Sequence, residues 1–131
     1  MILGCDVSGR VEAVGKNVTK FKPGDEVLSD ISQHRFGSSP SMSFKQAAAL
    51  PQASALAVPD FRDTSAIKPG QKILINGAGG GAGSFAVQIT KALGAEVTGV
   101  DSTVKLDSMG QNGVDHVMDY TKEDFTKNGE H

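Results

Sequence analysis

The chain has 131 residues, enough for one ordinary domain, with 38% hydrophobic and 21% charged content, as in soluble globular proteins. A net charge of −2 argues against a general nucleic-acid or anionic-membrane surface, and no apolar run approaches the ~20 residues of a membrane span. The lone Cys5 excludes an internal disulfide and a four-cysteine zinc site, and Met1-Ile-Leu-Gly-Cys-Asp6 has no basic region followed by an apolar core, so a cytoplasmic location is expected.

In chain order, residues 1 to 31 read as strands. Val7 to Val14 mixes small and β-branched residues, with Gly9 expected at a bulge or close approach. Gly15-Lys-Asn-Val-Thr and Lys22-Pro-Gly-Asp25 supply turns, and Glu26 to Ile31 another short strand. Residues 32 to 41 are rich in Ser, Gly and Pro and read as a linker. Ser43 has the chemistry of a helix N-cap before Phe44 to Leu50. Pro51 is expected to interrupt that helix, and Pro59 to kink or end the helical stretch from Ala53 to Phe61.

Residues 71 to 101 hold the most informative pattern. An apolar strand, Gln71-Lys-Ile-Leu-Ile-Asn76, runs into Gly77-Ala-Gly-Gly-Gly-Ala-Gly83 and then into a helix from Ser84 to Leu93. A second apolar strand, Glu96 to Val100, ends at Asp101. This order sets backbone N–H groups and the positive end of a helix dipole against a pyrophosphate. The best register is Ala78-x-Gly80-x-x-Gly83; Gly77-x-Gly79-x-x-Ala82 also fits. Beyond Asp101, Val104 to Asn112 reads as a helix closed by Gly113, and His116 to Met118 as a short strand before Asp119-Tyr120. Thr121 is placed to cap a last helical turn over 122–126. Residues 71 to 118 thus form β-α-β-α-β, and right-handed crossovers give three parallel strands in the order 3-2-1. The expected fold class is α/β: a partial doubly wound (Rossmann) parallel sheet after a short β region.

Leu3 to Gly15 with Phe21-Lys-Pro-Gly-Asp-Glu-Val27, Ala47-Ala-Ala-Leu-Pro51, the glycine turn, Ala86 to Ala95 and Val114 to Tyr120 together resemble the medium-chain dehydrogenase/reductase superfamily, zinc-free quinone oxidoreductase-like branch. The resemblance implies a partial chaperonin-10-like β region over 1–36 and the first half of a dinucleotide-binding domain over 37–131. Family enzymes are more than twice as long, so the chain is expected to be a truncated or internally deleted member.

The resemblance implies hydride transfer from NAD(P)H to a quinone or α,β-unsaturated carbonyl, without zinc. Where zinc-dependent relatives carry a His ligand, this chain has Cys5, and no metal is expected. The cofactor site is expected at Ala78, Gly80, Gly81, Ala82 and Gly83, with Asp101, Ser102, Lys105 and Tyr120 around the adenosine end. Asp101 favours NAD(H) through the ribose hydroxyls. Lys105 and Tyr120 resemble the 2′-phosphate site of NADP-using members and tip the preference to NADP(H). No catalytic acid or base is assigned; the position of the family's nicotinamide-side Thr holds Leu56, and Asp6 reads as a structural acid. The alternative is a non-catalytic nucleotide-binding or self-associating module, with an open apolar strand over Ile73 to Ile75 as the association edge.

Overall fold

The computed structural model describes residues 4–31, 35–38 (backbone only), 42–59, 61 and 66–127. It divides into two compact units, Met1–Ala53 and Ser54–His131.

The first unit holds an antiparallel sheet of β1 (Asp6–Arg10), β2 (Glu26–Asp30) and β3 (Arg35–Ser38), in that order. β1 and β2 pair in unbroken register from Asp6 opposite Asp30 to Arg10 opposite Glu26. Gly9 therefore sits in regular strand opposite Val27, with no bulge, and a Cβ added there would meet nothing within 4 Å. Val11 to Val14 lie beyond the strand expected to include them. Gly15 accepts from Val18 N–H at 3.1 Å, and Lys22 from Asp25 N–H at 3.2 Å, closing the two expected turns. Gly24 has φ +94°, which a side chain would strain.

The expected linker is a strand in its middle. β3 pairs with β2 from Val27 opposite Ser38 to Asp30 opposite Arg35, because β2 offers a second row of N–H and C=O groups that burial obliges the chain to satisfy. The remaining linker positions, 32–34 and 39–41, lie outside the described residues. Residue 36, the expected domain boundary, falls inside β3.

Helix α1 (Phe44–Ala48) begins with a capping box: Ser43 Oγ accepts from Gln46 N–H at 3.3 Å, and Gln46 Oε1 accepts from Ser43 N–H at 3.0 Å. The helix does break before Pro51, with α1 ending at Ala48, and Pro51 also starts a new one, α2 (Pro51–Val58), where its missing N–H costs nothing. Asp6 Oδ1 accepts the next N–H, that of Gln52, at 2.9 Å and so caps α2 from across the first unit. α2 ends at Val58, and at Pro59 and Phe61 the backbone is π-helical, so the proline widens the helical stretch where its missing N–H breaks the α-helical pattern.

The second unit holds a parallel sheet in the order β4 (Lys72–Asn76), β5 (Glu96–Asp101), β6 (His116–Asp119). Helix α3 (Gly81–Ala92) crosses from β4 to β5; a single 3-10 turn (Thr103–Lys105) and α4 (Leu106–Gln111) cross from β5 to β6. Ile75, Ala78, Ala86, Val87, Val97 and Met109 form the core, with Phe61, Ile73, Leu106 and Val114 packed against it. Val87, Val97 and Met109 are fully buried, each contributing about 1.5–3 kcal/mol of burial.

At the far end of this sheet, Lys91 Nζ grips both Asp115 oxygens at 2.7 and 2.8 Å, while Asp115 Oδ2 accepts Val97 N–H at 2.7 Å. The Lys91 bond first, then the Val97 N–H, hold the Asp115 carboxyl below its ordinary pKa. The last helical turn expected over 122–126 is absent. Asp119 Oδ1 takes Thr121 N–H at 3.0 Å and Asp124 Oδ1 takes Thr126 N–H at 3.1 Å. These short side chains give the backbone a turn in place of a helix.

Candidate dinucleotide-binding site

β4 delivers the chain to the glycine turn at the carboxyl end of the sheet. Gly77 and Ala78 both donate to Val100 C=O, at 2.8 and 3.2 Å, so the turn is stitched to the end of β5. The tight bend is made by Gly77, at φ +76°. Ala78 is fully buried under the turn, and the Cβ that Gly99 lacks would stand 3.0 Å from its own. Gly83 is the close-packing glycine: a Cβ there would stand 2.0 Å from Gly77 O and 2.8 Å from Ala78 Cα. The strand-to-helix crossing exists in this form only because that atom is missing. The bend thus lies at Gly77 and the close packing at Gly83.

Gly80 is the N-cap of α3, and no side chain caps it. The first intrahelical bond runs from Ser84 N–H to Gly80 C=O at 2.9 Å. The N–H groups of Gly81, Ala82 and Gly83 precede it and have no intrahelical acceptor. Three small residues thus bring bare backbone donors to the surface at the positive end of a 12-residue helix.

Asp101 ends β5, and its carboxylate turns back onto the glycine turn. Oδ2 accepts Gly79 N–H at 3.0 Å and Oδ1 accepts Ser102 N–H at 2.8 Å, with Ser102 Oγ at 3.4 Å. Lys105 lies over the same spot: a Cβ on Gly79 would meet Lys105 Cβ at 2.6 Å and Cγ at 3.1 Å. Gly79, Asp101, Ser102 and Lys105 are therefore one cluster. The Lys105 side chain is exposed, and among the described residues it has no carboxylate partner.

Tyr120 is joined to this cluster by backbone, its N–H donating to Asp101 C=O at 3.2 Å. Tyr120 is 55% exposed and, with Lys122, Glu123, Asp124 and Phe125, lines a cavity of about 270 Å³ that does not include Lys105. Between them sits a residue that sequence reasoning missed. Asp119 is buried and accepts from Thr103 Oγ1, from Thr121 Oγ1 at 2.6 Å and from Thr121 N–H at 3.0 Å, with Lys122 Nζ at 3.3 Å. The Thr103 hydroxyl first, then that of Thr121, hold its carboxyl well below the usual carboxylate range. Asp119 ties the loop after β5 to the loop after β6, fixing the backbone on which Lys105 and Tyr120 stand. The Asp-x-Thr spacing after an apolar run was the available signal.

A second cavity, of about 190 Å³, lies at the carboxyl end of β4, lined by Leu56, Ala57, Phe61, Ile75, Asn76, Ala82, Gly83 and Ala86. It is largely apolar and adjoins the first turn of α3. Among the described residues, no group of three or more His, Cys, Asp or Glu side chains converges on a metal-sized space.

Known proteins are similar to this chain in sequence and fold. Residues 1–89 match the alcohol dehydrogenase GroES-like domain. A quinone oxidoreductase of Pseudomonas syringae pv. tomato superposes with a TM-score of 0.81 at 37% identity, over 96% of this chain and 43% of that one. The chain belongs to the medium-chain dehydrogenase/reductase superfamily, in its quinone oxidoreductase-like branch. An Escherichia coli quinone oxidoreductase complexed with NADPH superposes with a TM-score of 0.83 at 32% identity, over 96% of this chain and 43% of that one. The 2-methylene-furan-3-one reductase of Solanum lycopersicum is 34% identical over 93% of this chain and 37% of its own length. The chain therefore spans well under half the length of these relatives. Among the described residues, no helix is long and apolar enough to cross a membrane.

Proposed function

We propose that this chain supplies the adenosine-phosphate side of the cofactor site in an NADPH-dependent, zinc-independent reductase of quinones or α,β-unsaturated carbonyls. One observation carries the reading: the uncapped start of α3, closed against β4 by Gly83, stands beside an exposed Lys105 that has no carboxylate partner among the described residues. The residues fit a dinucleotide. The N–H groups of Gly81, Ala82 and Gly83 would hold the pyrophosphate. Lys105, with Ser102 and Tyr120 beside it, would hold a 2′-phosphate.

Asp101 braces the turn, each of its oxygens accepting a backbone N–H. A carboxylate at this place also favours a ribose with free 2′- and 3′-hydroxyls, so the preference for NADP(H) rests on Lys105 with Ser102 and Tyr120.

When bound, the nicotinamide supplies a hydride to the substrate double bond. The chain's own part is positional: Gly77 and Gly83 set the helix against the strand, Asp101 stiffens the turn, and Asp119 fixes the loops that carry Lys105 and Tyr120. The named relatives, two quinone oxidoreductases and a furanone reductase, support the substrate class.

The test is NADPH oxidation with a panel of quinones and enals, run beside NADH. Oxidation faster with NADPH supports the reading. NADPH binding with no member of the panel reduced would remove the reductase and leave the alternative, a nucleotide-binding module.

A further inference from the structure

Asp101 and Asp119 stand opposite each other in the β5–β6 register, each the last residue of its strand. Residues paired in this way project from the same face of the sheet. The two carboxylates divide the loop after β5 between them. Asp101 Oδ1 takes Ser102 N–H at 2.8 Å, and Asp119 Oδ2 takes the Thr103 hydroxyl. Asp119 Oδ1 takes the N–H and the hydroxyl of Thr121, at 3.0 and 2.6 Å. One buried carboxylate thus holds Thr103, two residues before Lys105, and Thr121, one residue after Tyr120.

Thr103 opens the 3-10 turn that ends at Lys105, and no side chain caps that turn at Ser102. Short 3-10 turns have poor internal hydrogen-bond geometry, so their placement depends on what their side chains grip. The grip here is the Thr103 hydroxyl on Asp119. We propose that Asp119, acting through Thr103, is a positioning residue that sets the preference for a 2′-phosphate; the proposal rests on the cofactor reading above.

The carboxylate is buried, so its part is to fix where Lys105 and Tyr120 stand relative to each other. A 2′-phosphate needs both at once, and a binding constellation loses strength when its supporting contacts loosen. NADH lacks that phosphate and is held at the start of α3, away from this linkage. The charges agree with the role. A bare carboxylate beneath the site would repel a phosphate, but both Asp119 oxygens accept hydrogen bonds and Lys122 Nζ stands 3.3 Å from Oδ2. The Asp119 charge is thereby offset locally, and Lys105 is left to meet the anion.

Calorimetric titration of the full chain with NADPH and NADH, which differ only in the 2′-phosphate, tests the proposal. Thr103→Val keeps the shape and removes the hydroxyl; it should weaken NADPH about fivefold and leave NADH within about twofold. Thr103→Ser should restore NADPH. Asp119→Ala should show the same selective loss, and Thr103→Val added to it should cost nothing further. Added to Lys105→Ala, Thr103→Val should again cost nothing, because the positioned group is gone. If Asp119→Ala does not fold, this last pair decides alone. A Thr103→Val loss that persists in full beside either alanine means that the hydroxyl acts on the ligand by itself, and overturns the proposal. Equal loss of NADPH and NADH overturns it too, because a merely structural pair would act on both. An unchanged preference in Thr103→Val overturns it and leaves the cofactor reading intact. A parent chain that binds both dinucleotides equally defeats the cofactor reading, and the proposal with it.

Discussion

One methyl group tests the strand-to-helix crossing. In Gly83→Ala, the new Cβ would fall 2.0 Å from Gly77 O and 2.8 Å from both Ala78 Cα and Gly77 C, where ordinary contact begins near 3.4 Å. All three obstacles are backbone, so no side chain can swing away. The helix must retreat from β4 by more than an ångström, parting Ala86 and Val87 from Ile75. Overpacking of this kind costs about 1–3 kcal/mol, and sometimes more. Alanine returns about 1 kcal/mol of helix propensity. A rigid obstacle favours the upper end, so the net loss should be about 2 kcal/mol, a large share of the ~5–15 kcal/mol of a typical domain. Gly110→Ala in α4 is the matched control, because a Cβ there meets nothing within 4 Å. It should stabilise by about 0.5–1 kcal/mol. Urea unfolding of both variants reads the difference in midpoint at unchanged slope. Shifts of the same sign, or a Gly83→Ala midpoint at or above the parent's, would refute the close-packing argument.

The other predictions concern the loops around the turn. Lys105→Ala should weaken 2′,5′-ADP and NADPH by about tenfold or more and leave NADH nearly unchanged, measured by calorimetric titration. Asp101→Asn should destabilise by about 1–3 kcal/mol in urea, because the amide can accept only one of the Gly79 and Ser102 N–H groups and turns a donor on the other. Asp119 should make stability pH-dependent. Its folded pKa lies below its unfolded one, so the unfolded state binds the proton first as pH falls. That stabilisation is complete above the unfolded value of ~3.9 and drains away as pH falls through the lower folded value. Thr103→Val removes the largest cause, and its urea midpoint should fall less steeply below pH ~4.

The second unit was legible from sequence because each of its steps has a local cause. Glycines punctuate Lys72 to Asp101, β-branched residues mark the strands, and short crossovers leave one strand order. The first unit was less so. Arg35 to Ser38 carries no strand pattern of its own; it becomes a strand because β2 has an edge to satisfy, a non-local cause. Pro51 shows the same limit: the break before it was legible, but not that it opens a new helix, whose Asp6 cap comes from a strand far away in sequence. At the site, the glycines and the acid after β5 were visible, but not the direction of the Asp101 carboxylate. Nor did the sequence separate Tyr120, whose ring lines its own cavity, from Lys105 over Gly79. Asp119 was missed because its role is to join two loops, which a reading along the chain does not see.

The most direct measurement is a calorimetric titration of the chain with NADPH, NADH and 2′,5′-ADP. If the start of α3 and Lys105 form a working 2′-phosphate site, NADPH and 2′,5′-ADP bind and NADH binds at least about tenfold more weakly. Equal affinity for NADPH and NADH, or binding of none of the three, would contradict it.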